Sequence, residues 1–126
     1  MPTLSCKDVL ASLRDAMDNE NRRAQICIDL VGQGTPCRDY LLEIARDRSL
    51  DFYTRRFALR VVSGFRDGVV IQFIRTECLG NKSKAQLARE RGTDQESHAQ
   101  MALFVTGEEI LNTPDFFERY VAKTKE

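Results

Sequence analysis

The sequence predicts an all-α fold of about seven to eight short helices stacked in antiparallel pairs. Apolar residues recur at three-to-four spacing in one segment after another, the period of a single helix face. Polar caps, two Thr-Pro starts and glycine stops punctuate those segments at helical lengths. The one β-branched run, Val69-Val70-Ile71, has no partner strand elsewhere and is assigned to a helix.

Ser5 caps the first helix with Asp8 as its capping-box partner, and Val9, Leu10, Leu13, Ala16 and Met17 form its stripe. Asn19 or Asn21 restarts the chain into a helix through Ala24, Cys27, Ile28 and Val31, which Gly32 and Gly34 stop. Thr35-Pro36 opens the third: the hydroxyl caps, and proline sits where its missing N–H costs nothing. Tyr40, Leu41, Ile44 and Ala45 are its stripe. Ser49 or Asp51 starts the fourth helix, through Phe57, Ala58, Val61, Val62 and Phe65. Gly64 and Asp67-Gly68 make the next corner, and Val69, Val70, Phe73, Ile74 and Cys78 carry a fifth helix to Gly80. A polar loop runs to Lys84; Ser83 caps a short helix over 84–91, ended by Gly92. Thr93 and Glu96 form a capping box for a helix through Ala99, Ala102, Leu103 and Val105, closed by Gly107. Thr113-Pro114 launches the last helix, with Phe117, Tyr120 and Val121.

The chain is long enough for one hydrophobic core and is read as a single domain over residues 1–126. Its 19 basic and 19 acidic side chains leave zero net charge. A nucleic-acid partner is disfavoured on that ground, because neutralising phosphates takes a basic excess. The longest uncharged apolar stretch, residues 68–74, is too short to cross a bilayer, and the first residues lack the pattern of a secretory signal. Cys6, Cys27, Cys37 and Cys78 stand too far apart for a zinc site, so reduced thiols in the cytoplasm are expected. No metal or cofactor is expected. His98 is the only histidine, and no cysteine stands beside a group that would activate it. Gly32-Gln33-Gly34-Thr35 lacks the lysine of a phosphate loop. The chain is therefore read as a non-enzyme.

Three segments share a shape: Arg22 to Gly32, Arg55 to Gly64 and His98 to Gly107. Each has a polar start, a mid-helix alanine, a late valine and a closing glycine, followed by a turn signal and another amphipathic helix. Helical pairs at such intervals suit a solenoid, in which each pair hides its apolar side under the next. The pattern resembles HEAT-like helical repeats, most clearly over residues 39–66. There Asp39 to Leu50 looks like a first helix and its turn, and Tyr53 to Val62 like the second, with arginine just before the apolar run. The resemblance implies a scaffold or adaptor that binds a protein or nucleic acid along a concave face.

Arg22, Arg23, Arg55, Arg56 and Arg60 would then share one surface suited to an acidic protein partner or a nucleic-acid backbone, since guanidinium groups grip carboxylates and phosphates bidentately. Changing Arg55, Arg56 and Arg60 to glutamate is expected to abolish binding without disturbing the fold. An alternative is a helix-turn-helix over residues 84–103 that reads DNA. Thr93 and His98 stand against it, because they occupy positions that should be apolar to lock the two helices.

Overall fold

The punctuation read from the sequence sets most helix boundaries in the computed structural model, which describes residues 6–80, 86, 87, 89 and 95–124. Helices α1 (Cys6–Asp18) and α2 (Glu20–Gly32) are separated by Asn19 alone, whose extended backbone breaks the helix without a side-chain cap. Helix α3 (Thr35–Arg46) is capped one residue earlier than expected. Gly34 takes the position with φ at 90°, a conformation open to glycine, and Thr35 already lies inside the helix. Asp51 starts α4 (Phe52–Val62) by accepting the Thr54 N–H at 2.9 Å. Ser49 instead turns back on Asp47, donating its N–H and hydroxyl to that carboxylate.

A 3-10 turn, Ser63–Phe65, extends α4. The left-handed residue at this corner is Arg66 (φ 52°), not Gly64, and Arg66 pairs with Glu118 of the last helix. Asp67 then caps α5 (Gly68–Phe73), accepting the Val70 N–H at 3.0 Å. The β-branched run is helical, as assigned. Helix α5 continues into a π turn, Ile74–Leu79, which the sequence did not announce. Helices α6 (Gln95–Asn112) and α7 (Phe116–Thr124) complete the fold. Among the described residues there is no strand, and no helix is long and apolar enough to cross a membrane. The caps assigned to Ser5, Ser83 and Thr93, and the loop from Asn81 to Lys84, lie outside the described residues.

Two helix faces differ from the sequence stripe. In α2 the buried residues are Ala24, Ile26, Cys27 and Leu30, while Ile28 is exposed. In α6 the helix runs through Gly107 and ends five residues later. Gly107 is a contact point: a Cβ there would lie 2.9 Å from Ile74 Cγ2 and 3.2 Å from Cys78 Cβ. The glycine lets α6 press against the π turn.

Three hairpins carry the same internal tie. In α1/α2, Arg23 Nε donates to the Ala16 carbonyl at 3.3 Å. In α3/α4, Arg55 Nε donates to the Ala45 carbonyl at 3.1 Å. In α5/α6, Gln100 Nε2 donates to the Cys78 carbonyl at 3.2 Å. Each donor sits early in the second helix and meets an end-of-helix carbonyl that has no partner within its own helix. Each is followed at three, four and seven residues by buried positions: Ile26, Cys27 and Leu30; Ala58, Leu59 and Val62; Leu103, Phe104 and Gly107.

One core joins the hairpins, built from Val9, Leu13, Leu41, Ile44, Leu59 and Ile74 among others. Arg38 reaches from the start of α3 to Asp67 at 2.8 Å, and Arg46 from its end to Glu77 at 2.7 Å, so α3 is pinned to both ends of the fifth helical segment. Helix α4 packs on α1, α2, α3 and α6. Helix α7 returns to pack on α2 and on the 3-10 turn, where Gly64 fits between Val31 and Phe117. Leu87, Met101 and Phe104 form a small second cluster at the edge.

Candidate functional site

The five arginines nominated from sequence divide by the helix face they occupy. Arg55 is 4 % exposed and its Nε donates to the Ala45 carbonyl, so it does not share an exposed face with Arg56 and Arg60. The expectation that Arg55 shares the exposed arginine face is therefore corrected: its guanidinium is buried, with Nε on a helix end. A glutamate there would place a carboxylate against a carbonyl oxygen and break the fold. Arg23 is half-buried over the end of α1 for the same reason. Arg22 points outward and pairs with Asp15 at 2.9 Å.

Arg56 and Arg60 remain, one turn apart on α4 and both half-buried. The Arg56 guanidinium lies 5.8 Å from the Phe52 ring centre and 5.7 Å from that of Tyr53. Arg60 lies 5.5 Å from the ring centre of Tyr120. Cations over ring faces are attracted by the ring quadrupole, which holds these flexible side chains in place. Among the described residues neither forms an ion pair. Burial, and then the neighbouring charge of Arg60, hold the Arg56 guanidinium below its ordinary value. Burial raises the Tyr120 phenol, against which the charges of Arg60 and Arg23 pull it down.

These arginines form one wall of a groove between α4 and α6, with a cavity of roughly 250 Å³. The other wall is a single helical stripe of α6: His98, Ala102, Val105 and Glu109. His98 is exposed and meets the Phe52 ring edge-on at 4.9 Å between centres. A second cleft of roughly 540 Å³ adjoins on the far side of this pair and shares Phe52 and His98 as lining. The sequence nominated Arg56 and Arg60 but gave no sign that Phe52, Val105 and His98 would line a groove with them. Spacing along one helix gave no sign that α4 and α6 would face each other.

Burial pushes the Cys27 and Cys37 thiols up to about 11 and the Cys78 thiol up to about 12, so all three are protonated at neutral pH and poor nucleophiles. Among the described residues no three His, Cys, Asp or Glu side chains gather as metal ligands. Of the helix-turn-helix segment, α6 is packed on both α4 and the π turn, with Ala99, Leu103, Phe104 and Thr106 buried.

No family model matches this chain, and neither does any curated protein or solved structure. The groove itself carries the functional argument.

Proposed function

We propose that this chain is a non-catalytic interaction module of helical-repeat, HEAT-like type that binds an acidic protein segment through Arg56 and Arg60. The observation that carries this reading is that two guanidinium groups, a turn apart, are held against aromatic rings with no carboxylate partner among the described residues. Guanidinium groups fixed in place lose little further entropy when they pair, and paired carboxylates complete their hydrogen bonding. The shared tie of the three hairpins supports the repeat part of the reading, because each unit solves the same helix-end problem in the same register. A reducing, cytoplasmic setting suits the three buried free cysteines.

The test is charge reversal that spares Arg55. The double variant Arg56→Glu/Arg60→Glu is expected to keep its circular dichroism and its melting temperature and to lose binding to fluorescein-labelled glutamate-rich peptides. The wild-type interaction should weaken as salt rises, because part of it is screened charge. Binding of such peptides at the same strength by wild type and double variant would end the proposal.

A further inference from the structure

We infer that the occupant of the α4–α6 groove is an amphipathic acidic helix, seated with apolar residues on Ala102 and Val105 and carboxylates on Arg56 and Arg60. The inference rests on the proposed acidic partner and names its form. The groove is mixed in chemistry: one wall carries two cations that form no ion pair among the described residues, and the middle of the other is apolar. Val105 is 41 % exposed there, one of few large apolar side chains the described surface leaves open. An acidic chain without apolar residues would pair with the arginines but leave that floor wet. A purely apolar segment would bury both guanidinium groups without partners, which is costly.

The backbone of the occupant follows from the walls. Both are helices, and among the described residues there is no strand edge to pair with an extended peptide. An extended segment would strand its own N–H and C=O groups against Ala102 and Val105. A helix satisfies its backbone internally and brings only side chains. The spacing agrees as well. Arg56 and Arg60 are four residues apart, the interval at which two glutamates of a partner helix lie on one face. Glu109 stands at one end of the α6 stripe and His98 at the other, so the groove has polarity. A partner residue beside Glu109 is expected to be neutral or basic.

The experiment compares three labelled peptides of equal length and charge by fluorescence anisotropy against the intact chain. One is a helix former with leucines on one face and glutamates flanking them; the second has the same composition scrambled; the third is glutamate-rich without leucine. The amphipathic peptide is expected to bind roughly thirtyfold more tightly than the other two, the size of one interface hot spot. Val105→Glu, at an exposed position, should abolish that advantage with circular dichroism unchanged. Equal binding of all three peptides would overturn the helical occupant while leaving the arginine reading in place. Equal binding of the amphipathic peptide by wild type and Val105→Glu would do the same. Failure of all three peptides to bind would remove both.

Discussion

Arg55 precedes Ala58, Leu59 and Val62 by three, four and seven residues, which places it on the buried face of its helix, while Arg56 is turned toward the groove. The register was present in the sequence. Reading both arginines by charge alone put them on one surface, because a cation is rarely buried without a partner and the partner here, a carbonyl ten residues upstream, leaves no mark in the residue types. The same register places Arg23 before Ile26, Cys27 and Leu30. Arg55→Leu is expected to destabilise the chain by about 2 kcal/mol, since it leaves the Ala45 carbonyl unsatisfied and removes a charged donor. Arg56→Gln should lose less than about 1 kcal/mol, the scale of a partly exposed cation on a ring. Urea unfolding of the two variants separates them, and equal losses would contradict the tie.

At the scale of the element, the Asp51 start and the stops at Gly32 and Gly80 were legible, while the Thr35 cap and the role of Gly107 were not. Asp51 and Asp67 precede their helices with carboxylates that accept an N–H three residues on, a local pattern needing nothing from the rest of the fold. A glycine can end a helix or admit a neighbour, and only the neighbour decides which. Gly107 resembles Gly32 in sequence, yet it lies mid-helix against Ile74 and Cys78, whereas a Cβ at Gly32 would meet nothing within 4 Å. Gly107→Ala is therefore expected to destabilise by about 1–3 kcal/mol through overpacking. Gly32→Ala should be neutral or stabilise by up to about 1 kcal/mol through the unfolded chain. Thermal melts of the pair give opposite signs if the assignment holds. The π turn escaped notice because residues 74–79 hold no breaker to mark it; it packs against α6 at Gly107.

Over the whole molecule the all-α class followed from periodicity, but the groove did not, because its walls come from α4 and α6 and no local pattern pairs them. The return of α7 onto α2 was likewise silent in the sequence. That contact makes the second and last helices neighbours, unlike an open array in which each unit meets only the next. Unfolding is accordingly expected as one cooperative step. Far-UV circular dichroism and the fluorescence of a Tyr40→Phe/Tyr53→Phe variant, in which Tyr120 on α7 is the remaining tyrosine, should give superimposable urea curves; separated midpoints would show that the ends melt independently. The hairpin ties also bear on the order in which the chain finds its form. Those of Arg23 and Arg55 close loops of seven and ten residues. Bringing Phe117 beside Val31 closes one of roughly eighty, which forfeits about 2 kcal/mol more chain entropy. The least expensive route zips the early hairpins first and lays the final helix down as a latch.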